Sequence, residues 1–337
     1  MRAWQLHNGF SIGNLSCVTV PEEHISDYGV RVKIHACSLN YRDLMVARGL
    51  YNPKQKLPLI PLSDCAGEVV EVGAKVSEFA VGDRVCGLFS QDWCHGPPTD
   101  AAGKATLGSP LHGVLSEYRM FLPQGLIRIP DYLSYEEAST LPCAAVTAFN
   151  ALVYQSGVGP SGRLLILGTG GVSLFALQFA KAFGLSALIT SSSDEKLAKA
   201  RAIYDVPSIN YNKHPEWHEA VLDMTQGEGV DVVVEVGGAK TLPKSIQATK
   251  KGGSVCVIGV LSGVLEPLDL RQILMNQLRI QGVFVGPKTV FTAMNRVLQH
   301  QKIIPVIDRV FAFDKAPLAF SYLESQAHFG KVVIKVH

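Results

Sequence analysis

The run Gly168-Thr169-Gly170-Gly171 follows directly on the apolar residues 164–167 and precedes a stretch, 172–183, with the apolar spacing of a helix. Strand, glycine turn and helix in that order make a seat for a pyrophosphate. Gly168, Gly170 and Gly171 permit the tight turn and close approach of the anion to backbone N–H groups, and the helix start at Val172 lends partial positive charge. Alone, such a triplet is also a sharp strand-to-helix turn. A second apolar strand at 186–190 completes a βαβ unit and favours dinucleotide binding. NAD-binding units usually end that second strand with Asp or Glu, whereas here Thr190 leads into Ser191-Ser192-Ser193. The hydroxyls of Ser191 and Ser192 can donate to a 2′-phosphate, and Lys196 can add charge one turn later. Asp194 falls in the first turn of the next helix, where an acid suits the dipole. The expected cofactor is NADPH/NADP in preference to NAD, although the same serines would also serve as a capping run.

These residues need a scaffold, and 337 residues suffice for about two domains. Charged residues make up 18% with a net charge of +2, so nothing in the composition points to nucleic acid; a small-molecule substrate is expected. No apolar run reaches the roughly 20 residues of a membrane helix. The first residues lack a signal peptide's apolar core, and seven cysteines without paired spacing fit reduced thiols. A soluble cytoplasmic protein is expected.

Residues 1–132 read as a β-rich, barrel-like domain, with alternating segments at 30–36 and 67–73 punctuated by Gly and Pro. The irregular stretch 90–113 is either a lid or a solvated excursion. Ser134 with Glu137 forms a capping box before an apolar helix reaching Val153. Strands at 208–211, 230–236, 253–259 and 280–285 extend the βαβ unit into a parallel doubly wound sheet over 133–287. A helix at 288–300 and a tail ending in a strand at 332–336 are placed back on the first domain, completing it with 288–337.

The whole chain resembles the medium-chain dehydrogenase/reductase superfamily. Within it, Ser38-Leu39-Asn40-Tyr41-Arg42-Asp43, Pro61-Leu62-Ser63-Asp64-Cys65-Ala66-Gly67 and Val81-Gly82-Asp83-Arg84-Val85 are similar to the zinc-free quinone oxidoreductase branch. The resemblance implies an α/β protein: a GroES-like β-barrel catalytic domain, a Rossmann domain holding a nicotinamide cofactor, and a homodimer built by extending the Rossmann sheets edge to edge. The Cys, His and Cys that hold catalytic zinc in other members fall on Asn40, Ser63 and Cys143, and the structural-zinc lobe is reduced to Cys86 and Cys94. One thiol cannot hold a metal that takes three protein ligands, so no zinc is expected. Cys143 is then a small buried residue. His35 and Cys37 share a strand face as a pair without a third ligand.

Without a metal, the substrate oxygen must be polarised by hydrogen bonds. Asn40 and Tyr41 are the candidates; a turn-capping amide and a packed ring are the alternatives. Asp43 orients them or relays a proton, and Tyr51 falls where related reductases carry another tyrosine. The resemblance further assigns Thr147 to the nicotinamide ribose and carboxamide, and Lys196 with Tyr211 to the 2′-phosphate. It places Ile258-Gly259-Val260 beside the nicotinamide, Phe284 and Val285 at the cleft's closing edge, and Lys331 on the pyrophosphate or ribose. Where the family carries a third glycine stands Ser173, which implies wider helix–strand spacing and a hydroxyl able to face the phosphates. The expected activity is hydride transfer from NADPH to a quinone, enone or small carbonyl compound. An NADP-dependent alcohol or aldehyde dehydrogenase and a non-catalytic NADPH-binding protein are the alternatives.

Overall fold

The computed structural model describes all 337 residues, which form two units: Met1–Val146 with Gly286–His337, and Thr147–Val285. Residues 133–146 thus belong to the first unit, whereas the capping box at Ser134 suggested that the second began there. The reason is local bonding. Ser38 Oγ donates to the carbonyl of Ser139 at 2.9 Å, and the N–H of Cys143 donates to Asp64 Oδ2 at 3.2 Å. The helix expected from Ser134 is also not uniform: Tyr135–Ala138 is α-helical, but Leu141–Ala145 and Asn150–Gln155 are wide π turns. Pro142 supplies no N–H to a regular α turn, which accounts for the first of them.

In the second unit six strands run in parallel in the spatial order Ser208–Asn210, Ser186–Ser191, Arg163–Leu167, Val230–Glu235, Thr249–Val257 and Arg279–Gly282. The chain works outward one way from Arg163–Leu167 and then returns to its other side. That reversal is where doubly wound folds bind their ligands, at the carboxyl ends of the strands. Leu164, Leu165 and Ile166 are wholly buried, as expected of a strand covered on both faces. The helix Gly171–Phe183 buries Phe175 and Phe179, each contributing about 1.5–3 kcal/mol. Gly184, at φ +67°, ends it in the left-handed conformation that glycine adopts without strain.

In the first unit the Val30–Leu39 strand is the organiser. Along one edge it pairs antiparallel with Asp64–Val72; along the other it takes Tyr118–Phe121 at its start and Lys331–Lys335 at its end. Arg84–Gly87, Leu126–Arg128 and Ile307–Ala312 extend the sheet. The stretch 90–113 is neither free nor fully solvated: it contains the short helix Asp100–Lys104, and Leu107 N–H donates to the carbonyl of Phe89 at 3.0 Å. Ala102, Leu107 and Ser109 in it are buried.

Candidate active site

The centre of the first unit is set by register. Leu39 pairs with Val332, and Ser38 with Asp64, so the end of the Val30–Leu39 strand meets the starts of Asp64–Val72 and Lys331–Lys335, and Lys331, Asn40 and Asp64 come together. Asn40 then turns the chain from extended backbone into the helix Tyr41–Ala47. The capping of that helix is done by Asp43, whose Oδ2 accepts the N–H of Asn40 at 2.7 Å, while Asp43 N–H donates to the backbone carbonyl of Asn40. The Nδ2 donor of Asn40 takes no part in the cap. Its Oδ1 accepts from Lys331 Nζ at 2.6 Å, and its Nδ2 is buried with no partner. Buried polar atoms without a partner are uncommon and call for a reason.

Lys331 is only 3% exposed; Nζ also donates to the carbonyl of Leu39 at 2.8 Å and lies 3.8 Å from Asp64 Oδ2. All these partners of its ammonium lie inside the first unit. Asp64, fully buried, accepts from Ser63 Oγ at 2.6 Å and from Cys143 N–H. Leu62, at φ +71°, turns the chain immediately before them, a conformation that an apolar side chain rarely adopts.

Asp43 is buried beside Arg42, its Oδ1 3.6 Å from the guanidinium. Burial is the main influence on its carboxyl, raising it from 3.8 to about 6, against the pull of Arg42 and Asn40 N–H; Asp64 adds to the rise and Lys331 opposes it. Folding therefore favours the protonated form. Asp43 contributes stability below its ordinary value, and that contribution is lost as pH rises through about 6. Asp43→Asn, neutral throughout, should gain stability relative to the unmodified protein across that window. Chemical denaturation at a series of pH values measures this, and a flat difference would mean that the carboxyl titrates normally.

Tyr41 packs its ring on the hydrophobic core of the unit. The guanidinium of Arg42 lies 4.5 Å from the centre of the Tyr51 ring and 5.0 Å from that of Phe89. Arg42 itself donates to the carbonyls of Leu107 and Ser109 at 2.7 and 3.2 Å, fastening the 90–113 stretch. Neither Arg42 nor Asp64 stood out in the sequence as a site residue. The signal for Arg42 was its aromatic neighbours, which are distant in the chain.

At Asn40, Ser63 and Cys143, where the resemblance expects zinc ligands in other members, the chain has an amide, a hydroxyl and a thiol. Burial and the Asp64 carboxylate push the Cys143 thiol well up, against the thiolate form that a metal binds. His35 stacks on Tyr135 at 4.2 Å, and Cys37 Sγ donates to the carbonyl of Val114, so neither is set to ligate. No group of three or more His, Cys, Asp or Glu side chains could hold a metal ion.

The second unit carries most of the residues expected to bind the nucleotide. Gly168 sits at φ +72°, and a Cβ on Gly170 would meet nothing within 4 Å, so the turn between Leu167 and Gly171 leaves its backbone accessible at a helix N-terminus. Ser173 does not face outward as expected: it is buried and donates to the carbonyl of Leu167 at 2.7 Å, tying the helix to the strand. Ser193 is the cap of the next helix, accepting Lys196 N–H at 3.3 Å, while Ser191 is buried and Ser192 exposed. Asp194 is held by Asn210 Nδ2 at 2.7 Å and Lys213 Nζ at 2.6 Å, which keep its carboxyl low. Tyr211 is partly exposed beyond it. Gly259 packs on the backbone of Val236, where any Cβ would collide at 2.2 Å, fixing Ile258 and Val260 on either side. Thr147 is buried; Phe284 is exposed, and Val285 adopts φ +45°, with its carbonyl accepting from Asn150 Nδ2 at 2.7 Å. A β-branched residue in that region is strained, a feature that clusters at functional sites.

Residues 26–131 match the family described as alcohol dehydrogenase GroES-like domain, and residues 171–300 the family described as zinc-binding dehydrogenase. The chain is 44% identical over 313 residues to a zinc-type alcohol dehydrogenase-like protein of Schizosaccharomyces pombe, covering 91% of this chain and 90% of the other. It is 32% identical to a 2-methylene-furan-3-one reductase of Solanum lycopersicum, over 99% of this chain and 79% of the other. The solved structure of an NAD-dependent alcohol dehydrogenase superposes with a TM-score of 0.92 at 32% identity, covering all of both chains.

Proposed function

Because the chain belongs to the medium-chain dehydrogenase/reductase superfamily, we propose that it is an NADPH-dependent, zinc-independent oxidoreductase that reduces a quinone, enone or small carbonyl compound. The observation that carries the reading is the buried, unpartnered Nδ2 of Asn40 at a position where relatives place a zinc ligand. When bound, the nicotinamide supplies the hydride. The acceptor takes up that hydride and one proton from solvent, and negative charge builds on its oxygen in between. Asn40 Nδ2 donates to that oxygen, taking the part of a Lewis acid. Gly168, Gly170, Gly171 and Val172 would hold the pyrophosphate, and Ser191, Ser192, Lys196 and Tyr211 the 2′-phosphate. Thr147, Ile258, Gly259, Val260, Phe284 and Val285 would line the nicotinamide.

The test is nicotinamide absorbance against a panel of quinones, enones, aldehydes and alcohols. NADPH should be oxidised by quinones and enones faster than NADP is reduced by any alcohol; the reverse ranking would overturn the substrate class. The alcohol dehydrogenase reading is favoured by the names of the yeast relative and the superposed structure. The relative from Solanum lycopersicum, an enone reductase by name, supports the leading one.

Metal independence has its own readout. Elemental analysis should find no stoichiometric zinc, and a chelator should leave turnover unchanged. One tightly bound zinc per chain would end the proposal. All seven cysteines are free thiols, which supports the reducing cytoplasm as the working compartment, and no helix is long and apolar enough to cross a membrane.

A homodimer is part of the same reading. Arg279–Gly282 is an edge strand, and Leu265, Leu270, Leu274 and Met275 near it in sequence are highly exposed. An open edge and exposed apolar side chains are costly unless covered. Sedimentation should give a dimer that Leu274→Glu shifts toward monomer; a monomeric unmodified protein would refute it.

A further inference from the structure

We propose that Lys331 is a positioning residue, which fixes the orientation of the Asn40 amide so that its N–H donors are presented to the substrate oxygen. The inference rests on the reductase reading above and adds the group that makes it work. An ammonium can only donate, so the Asn40 atom lying 2.6 Å from Lys331 Nζ must be the carbonyl oxygen. The NH2 group is thereby turned to the opposite side, where the structure gives it no acceptor. With Lys331 removed, the amide oxygen loses its 2.6 Å donor, and a reversed orientation would set an oxygen against the developing negative charge.

Lys331 is itself held rigidly. Gly330, at φ +88°, brings the chain so close to Val306 that a Cβ would lie 2.4 Å from its carbonyl oxygen, and Lys331 N–H donates to that same oxygen at 2.9 Å. The strand then pairs Val332 with Leu39, which sets Lys331 beside Asn40. Neutralising Asp64 is a lesser part of its role. Asp64 already accepts from Ser63 and from Cys143 N–H, and Lys331 Nζ stands 3.8 Å from it against 2.6 Å from Asn40.

The test is a double-mutant cycle on single-turnover hydride transfer and NADPH affinity, with Lys331→Met, Asn40→Ala and the pair, and Lys331→Arg as the conservative variant. If Lys331 acts through Asn40, Lys331→Met slows hydride transfer about tenfold or more, leaves NADPH affinity within about twofold, and adds nothing once Asn40 is alanine. Lys331→Arg, which keeps a cationic donor, should recover part of the rate. Multiplying effects in the double mutant would overturn the proposal, as would a loss of NADPH affinity with the saturated rate preserved; the latter would make Lys331 a cofactor contact.

Should Lys331→Met fail to fold, Asn40→Asp tests the same geometry. It keeps an oxygen against Lys331 and removes both N–H donors, so hydride transfer should fall about 10²–10³-fold. An unchanged rate there would overturn the proposal. The amide can also be read without turnover. The Asn40 side-chain resonances, identified by their loss in Asn40→Ala, should be a sharp pair in the unmodified protein and shift or broaden in Lys331→Met. If the unmodified protein reduces no acceptor, the reductase reading fails alone; if those resonances are unmoved in a folded Lys331→Met protein, the positioning role fails alone.

Discussion

The double variant Asn40→Ala with Tyr41→Phe is expected to lose about 10²–10³ in hydride transfer while binding NADPH as before. Groups that stabilise charge only as it develops act on turnover and not on cofactor affinity. The two residues should not share the loss equally. Asn40 offers a buried N–H donor without a partner, whereas Tyr41 lays its ring on the core of the first unit. Tyr41→Phe alone should therefore cost little, and nearly all of the effect should follow Asn40. Single-turnover measurement of each variant decides the matter. Full hydride transfer in the double variant would move the oxygen's partner elsewhere, to backbone donors or a ribose hydroxyl; a collapse of NADPH affinity with the saturated rate intact would make Asn40 a cofactor clamp.

Cofactor choice should be the second large effect. NADPH is expected to bind more tightly than NADH, and Lys196→Ala to weaken NADPH selectively by about 1.5–3 kcal/mol, the range for a hydrogen bond to a charged group. Ser191→Asp should narrow or reverse the preference, because a carboxylate at the end of the second strand repels a 2′-phosphate and accepts from a free 2′-hydroxyl. The acid already nearby does not have that effect. Asp194 lies against Asn210 and Lys213, so its charge is offset locally. Titration of both cofactors against the three proteins is the measurement. Equal affinities in the unmodified protein would refute the assignment, and the NAD-dependent enzyme that superposes on this chain makes that a real contest.

The nucleotide unit was legible in the sequence because its signals are local. A buried strand, a glycine turn and an amphipathic helix occupy twenty consecutive residues, and the strands expected at 186–190 and 230–236 form as Ser186–Ser191 and Val230–Glu235. The first unit was less so. Its centre depends on register between segments nearly 300 residues apart, as in the pairing of Leu39 with Val332, and no local pattern shows that Lys331 faces Asn40. Ser173 differs for a related reason: its position in a phosphate-binding motif suggests an outward hydroxyl, but that hydroxyl donates to the carbonyl of Leu167 at the end of the preceding strand. The boundary at Ser134 followed a true capping box, and the bonds from Cys143 and Ser139 to the first unit, invisible in sequence, decided where that segment belongs.

The buried ammonium of Lys331 also bears on how this centre could be re-engineered. Placing a cysteine at 40 and a histidine at 63 would supply the ligand types of a zinc enzyme around Cys143, but the Lys331 ammonium would remain within hydrogen-bonding reach of residue 40. A dication arriving there would meet like charge at close range in a poorly screened interior, where repulsion is far stronger than in water. Conversion would thus need a change at the far end of the chain as well as at the ligands themselves. A design that places a metal here has to replace the amide and the lysine together.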